Sequence, residues 1–265
     1  MLLTRVISAA ILGPLLLYVL FLGGNYLLVV TLLLTLVALH ELFNMSRGLG
    51  FKAWQNVGYL AALFVVLAAY FEQGKYLPLM LVVWLLICLS YIVINFPQQG
   101  IGNLGFNFLA VLYVSLLFAH MPLLRNLAQG TYLIFLTFVT TWATDTGAYF
   151  AGRAMGRNKL APKVSPNKTV EGAIGGLVAA ALVAAAIGYL VPNNAFTTTK
   201  LVLLGIAVAI TGQMGDLAES AIKRFAGVKD SGKLIPGHGG VLDRFDSVLF
   251  TIPTVYYIFL GLIIS

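Results

Sequence analysis

The chain has 265 residues, 60% of them hydrophobic and 9% charged, with a mean hydropathy of +0.95 and a net charge of +7. Soluble domains carry roughly 25% charged residues, so the composition excludes an ordinary soluble enzyme and predicts an all-α, polytopic integral membrane protein. The apolar runs are continuous rather than alternating, which excludes a β-barrel, and no polar segment is long enough to form a separate soluble domain.

A spanning helix needs about 20 apolar residues. Nine stretches qualify, at about 5–22, 26–44, 54–71, 77–95, 104–124, 130–152, 172–191, 200–222 and 246–264. They are separated by turn-forming clusters such as Gly23-Gly24-Asn25, Ser46-Arg47-Gly48, Pro97-Gln98-Gln99-Gly100 and Pro192-Asn193-Asn194. Arg5 ahead of an apolar run resembles a secretion signal, but no small-x-small cleavage pattern precedes Gly23, so a retained first helix is expected. The turn after it is short enough to force a tight hairpin with the second helix. Cys88, the one cysteine, lies in an apolar run and reads as a buried thiol. With the N-terminus inside, thirteen of the sixteen Lys and Arg residues fall on the inner side and only Lys75, Arg125 and Lys200 on the outer. The positive-inside rule therefore puts both long charged loops, near 153–171 and 223–245, in the cytoplasm and the C-terminus outside.

The acidic residues divide the chain. Glu41 and Glu72 lie in the first half; Asp145, Glu171, Asp216, Glu219, Asp230, Asp243 and Asp246 follow. Within a single membrane domain, 1–265, residues 1–128 read as N-terminal scaffold helices and 129–265 as catalytic helices with two cytoplasmic loops. In the scaffold, His40-Glu41 reads as an ion or proton site or as an interface anchor, and His120 as structural. Asp145 is a lone carboxylate in an apolar run, a position that usually marks function. Nearby Gly147 and Gly152 suit close helix packing. Next comes Ser165-Pro166-Asn167-Lys168-Thr169-Val170-Glu171-Gly172, where Ser165 or Thr169 can cap a helix and Lys163 and Lys168 near its N-terminus favour a phosphate. It is not a P-loop, because the Gly-x4-Gly-Lys-Ser/Thr spacing is missing.

The densest stretch is 215–246. Asp216, Ser220 and Lys223 share one helix face, and Glu219 and Lys223 form an i, i+4 pair; a snorkelling ion pair at the interface is the bland alternative. Lys229-Asp230, Lys233, His238-Gly239-Gly240 and Asp243-Arg244-Phe245-Asp246 follow. Converging carboxylates make a hard-oxygen site suited to Mg²⁺. Gly237, Gly239 and Gly240 let backbone N–H groups approach an anion ahead of a helix N-terminus. Carboxylates, glycines and basic residues together are the parts of phosphoryl or nucleotidyl transfer.

These residues resemble the signature of the phosphatidate cytidylyltransferase (CDP-diacylglycerol synthase) family: Ser220, Lys223-Arg224, Lys229-Asp230, His238-Gly239-Gly240, Asp243-Arg244 and Asp246, preceded by Asp145-x-x-Ala148-Tyr149 and the 165–172 element. The likeness in motifs covers about residues 140–250; Asn167 stands where a basic residue is expected. The resemblance implies that CTP and phosphatidic acid give CDP-diacylglycerol and pyrophosphate, in phospholipid biosynthesis at the cell membrane. It implies Mg²⁺ as cofactor, with a second cation such as K⁺ left open, and Asp216, Asp243 and Asp246 as metal ligands. These three and Lys223 are the expected catalytic residues. Asp145, Lys163, Ser165, Lys168, Thr169, Glu171, Ser220, Arg224, Lys229, His238, Gly239, Gly240 and Arg244 are the expected substrate-binding set. The expected partners are the two substrates and membrane lipids, with no nucleic acid; a homodimer is left open. The lipid phosphate is itself an anionic nucleophile, so no general base is assigned, and His238 is expected to hydrogen-bond. CTP transfer to an isoprenoid ether lipid phosphate is the near alternative. A cation- or proton-coupled transporter using Asp145, Asp216 and Glu219 is the distant one, and no second copy of the charged elements supports it.

Overall fold

Runs of Leu, Val, Ala and Ile fold here as helices because nothing within them competes for the backbone, and the glycine and proline clusters end them. A computed structural model describes residues 2–191, 196–235, 237 and 239–264, without the side chains of 2–9 and 262–264. The Pro192-Asn193-Asn194 break and His238 lie outside the described residues. The helices are α1 (Leu2–Leu22), α2 (Gly24–Met45), α3 (Gln55–Tyr70), α4 (Leu77–Ile94), α5 (Ile101–Val111), α6 (Leu117–Arg125), α7 (Gly130–Met155), α8 (Val170–Leu190), α9 (Thr198–Phe225) and α10 (Leu242–Ile264). A π-helical segment, Leu112–Leu116, joins α5 to α6, so the two fill the one expected span at 104–124.

The expectation of helices alone needs one correction. Between α7 and α8, β1 (Lys159–Ala161) pairs antiparallel with β2 (Ser165–Thr169), Lys159 opposite Thr169 and Ala161 opposite Ser165. This segment is polar and carries no apolar face for a helix to bury, so its backbone groups pair locally in a hairpin.

Among the described residues, six stretches are long and apolar enough to cross a membrane: Gly24–Met45, Gln55–Gly74, Leu77–Ile94, Ile101–Arg125, Val170–Leu190 and Thr198–Phe225. The expected count of nine is not reached on these terms. The described side chains of α1 leave an apolar piece of only Ala10–Leu22, and α10 opens with Asp243, Arg244 and Asp246. Threonines dilute α7, yet Thr137, Thr140, Thr141, Thr144 and Thr146 each donate to a carbonyl one turn back, which satisfies their hydroxyls inside the helix.

The chain packs as two units: Met1–Asn126 with Phe225–Arg244, and Leu127–Arg224 with Phe245–Ser265. The charged stretch 225–244 thus groups with the N-terminal helices. In the first unit, α1 and α2 form the expected tight hairpin. Gly23 and Gly24 turn it at φ 65° and 52°, and Arg125 donates to the carbonyls of Leu20 and Phe21 at 2.9 Å each, satisfying the end of α1. Phe43, Leu39, Phe118, Met121 and Leu124 fill the core among α2, α3 and α6. Asn107, itself buried, accepts from Trp54 N and donates to Lys52 O, pinning the loop ahead of α3.

In the second unit α7 and α8 pack through small residues, as expected for Gly147. A Cβ on Gly147 would meet the Ala179 methyl and lie 2.8 Å from the Gly175 carbonyl oxygen, and one on Gly152 would lie 3.1 Å from Thr169 Oγ1. Gly212 and Gly215 of α9 face α10 in the same way, against Thr251 and the Asp246 carbonyl. Such backbone approach is how apolar helices associate where burial gives little driving force. Gly147→Val is expected to cost about 1–3 kcal/mol through overpacking, read as a lower melting temperature in detergent; an unchanged melting temperature would refute the close contact.

Candidate active site

The second unit assembles one set of charges. Thr169 caps α8, its Oγ1 accepting from Gly172 N at 3.1 Å, so its hydroxyl serves the helix. Glu171 accepts from the backbone amides of Arg157 and Asn158 and from Asn158 Nδ2, closing the chain between α7 and β1 against the start of α8. With the loop so held, β2 presents Lys168 to α9, where its ammonium pairs with Asp216 at 2.5 Å. Ser220, one turn on, donates to the other Asp216 oxygen at 3.3 Å. Arg224 closes the same link, its Nε donating to Val164 O at 3.2 Å. The basic hairpin and the polar end of α9 are therefore one construction. Ser165 is half-buried in β2, and Lys163, in the hairpin turn, is exposed.

Behind this lies a second layer. Lys223 pairs with Glu219 at 2.5 Å; the Glu219 side chain is fully buried and that of Lys223 is 11% exposed. Asp246, in the second turn of α10, lies within electrostatic range of Asp216, Asp145 and Lys223, and its Oδ1 accepts from Ser247 N. Asp145 is exposed on α7. Like charges gathered within an apolar unit are costly and mark functional sites. Two carboxylates, Asp216 and Asp246, with Asp145 nearby, are the hard-oxygen donors a divalent cation uses, phosphate and water oxygens completing its shell. Among the described residues no three His, Cys, Asp or Glu side chains converge into one metal-holding group.

Asp243 is hydrogen-bonded within the first unit. Its Oδ2 accepts from Ser231 N at 2.9 Å, Ser231 Oγ at 3.0 Å and Gly240 N at 2.8 Å. The glycines, read from sequence as making room for a phosphate, make room first for the protein's own carboxylates. A Cβ on Gly239 would lie 2.5 Å from Asp243 Oδ2, and one on Gly240 would strike Ser231 Oγ and Glu41 Oε2. Ile235 N donates to Gly239 O at 2.9 Å, and Gly237 and Gly239 take φ of 77° and 86°, a conformation only glycine adopts freely. The folded loop surrounds a cavity of about 560 Å³ lined by Lys229, Asp230, Lys233, Arg244 and the backbone of Gly232, Gly237 and Gly239. Three cations against one carboxylate make it an anion pocket.

Sequence reasoning did not connect Glu41 with this region and missed Ser231. Glu41 of α2 is 4% exposed and accepts from Val241 N at 2.8 Å, Leu242 N at 2.9 Å and Ser231 Oγ at 2.8 Å. Of the two readings left open for Glu41, the interface anchor is excluded by its burial. The usable signal was a carboxylate at the end of an apolar helix; its partners, some 190 residues away, were not readable. Ser231 gave no signal.

The sequence model of the Cytidylyltransferase family matches residues 3–262. The phosphatidate cytidylyltransferase of Staphylococcus haemolyticus is 39% identical over 256 residues, 95% of each chain. That of Staphylococcus aureus (strain COL) is 37% identical over 258 residues, again 95% of each. The Bacillus subtilis enzyme of the same name is 46% identical over 174 residues, 65% of this chain and 64% of its own. An apolar, helical chain with a basic anion pocket, matched by that model over nearly its whole length, belongs to the cytidylyltransferase family.

Proposed function

We propose that this protein transfers the cytidylyl group of CTP to phosphatidic acid, releasing pyrophosphate and leaving CDP-diacylglycerol in the membrane. The observation that carries the reading is the anion pocket of Lys229, Lys233 and Arg244, built on the stretch that resembles the family signature. A phosphate oxygen of the lipid attacks the α-phosphorus of CTP. The new P–O bond forms as the bond from the α-phosphorus to the α–β bridging oxygen breaks, and pyrophosphate leaves with that electron pair. No proton need be removed from the nucleophile, so the chain's task is to hold two anions together and to neutralise charge on the leaving group.

Lys229, Lys233 and Arg244 suit the triphosphate and then the departing pyrophosphate. Lys168 and Arg224 suit the lipid phosphate, which would compete with Asp216 for the Lys168 ammonium, and Lys223 adds a cation that Glu219 keeps in place. Asp216 and Asp246 would hold Mg²⁺, which when bound neutralises phosphate charge. The placement that goes with this reading is nine spans, the N-terminus and both charged loops in the cytoplasm where CTP is dissolved, and the C-terminus outside. The six apolar helices among the described residues support a membrane protein, and the thirteen Lys and Arg residues on the inner side support the orientation.

The test is purified protein in mixed micelles with labelled CTP and phosphatidic acid, with and without divalent cations. Labelled CDP-lipid that depends on the cation is the expected result. No CDP-lipid from phosphatidic acid under any divalent cation would refute the reading, and product only from an isoprenoid ether lipid phosphate would move the assignment to that substrate.

A further inference from the structure

We infer that Glu41 is a positioning residue for the anion pocket, acting from the N-terminal helices through Ser231 and the start of α10. The argument begins with cost. A carboxylate in an apolar helix with 4% exposure is kept only if its charge is matched. Here it is matched by donors belonging to the pocket loop itself: the amides of Val241 and Leu242, which open α10, and the hydroxyl of Ser231. An anion at a helix N-terminus also gains from the helix dipole. The loop is shaped to admit it. A Cβ on Gly232 would lie 2.6 Å from Glu41 Oε1, and one on Gly240 would overlap Ser231 and Glu41; both glycines leave the space the carboxylate fills.

Ser231 joins this clamp to a second one. Its Oγ stands 2.8 Å from Glu41 and 3.0 Å from Asp243, while Asp243 also takes the amides of Ser231 and Gly240. The two carboxylates thus fix both ends of the segment 231–242, and the pocket cations Lys233 and Arg244 lie within it and two residues past its end. Glu41 lines no part of the cavity, so its effect reaches substrate only through the shape of the loop. If the pocket takes the triphosphate, as the proposed function holds, Glu41 sets the affinity for CTP and not for the lipid.

Three readouts test this on Glu41→Gln and the milder Ser231→Ala, in purified full-length protein. Amide hydrogen exchange over residues 229–244 is expected to quicken by 10-fold or more in Glu41→Gln, while exchange in α7 and α8 stays within 2-fold. The KM for CTP is expected to rise by about 10-fold, that for phosphatidic acid to stay within about 2-fold, and Ser231→Ala to show the same pattern at about 3-fold. Unchanged exchange in the loop, or a CTP KM that does not move although exchange has quickened, overturns the inference. Should Glu41→Gln fail to fold, Ser231→Ala decides by the same criteria. Should the wild-type protein make no CDP-lipid, the proposed substrate falls, and the exchange measurement still settles whether Glu41 orders the loop.

Discussion

Asp246→Asn is expected to lower kcat/KM by roughly 10²–10³, the size of effect seen when one preorganised electrostatic contact to a transition state is removed, and to leave the fold at least as stable as before. The two halves of this expectation have one cause. Asp246 lies within electrostatic range of Asp216 and Asp145, so the folded chain holds like charges together, and deleting one relieves repulsion. Asn keeps the size of the side chain and an oxygen that can accept from Ser247 N, the bond Asp246 Oδ1 makes. Turnover in mixed micelles and melting in detergent are the paired measurements, and the Mg²⁺ concentration for half-maximal rate should rise in the variant. Native turnover would remove Asp246 from the site. Lost turnover with a lowered melting temperature would make it a structural residue. A site that becomes more stable when its function is removed is the usual trade between stability and activity.

The helices were legible because an apolar run of about 20 residues in such a chain has few other folds open to it. Their ends were less so. α10 begins at Leu242, four residues before the expected start at 246, because Glu41 and Asp243 supply the acceptors its first amides and the preceding loop need. The hairpin of β1 and β2 was not legible: three and five residues carry too little alternation to register as strands. In the site, residue types were readable and pairings were not. Lys168 with Asp216, Arg224 with Val164 O and Glu41 with the 240s loop join segments about 50 to 200 residues apart, and spacing along a chain says nothing of such contacts. Local pairs were readable, as Glu219 with Lys223 shows.

That local pair allows the sharpest separation of structure from chemistry. Lys223→Met is expected to destabilise the protein by about 3–5 kcal/mol, because it leaves the fully buried Glu219 carboxylate without the ammonium it pairs with. Activity would fall as well, but the loss alone would be ambiguous. Adding Glu219→Gln removes the buried charge, and the double variant is expected to recover most of the lost stability, since a buried ion pair replaced as a unit is often close to neutral. Turnover should not recover with it. Lys223 also lies within electrostatic range of Asp246, so its ammonium borders the carboxylates proposed to hold Mg²⁺, where phosphate charge would be neutralised, and neither Met nor Gln replaces that cation. The measurements are unfolding in detergent and CTP turnover for the wild type, both single variants and the double variant. Recovery of both stability and turnover in the double variant would show that Lys223 serves only to neutralise Glu219. Recovery of stability with turnover still at least 100-fold down would place the ammonium among the groups that hold the reacting phosphates.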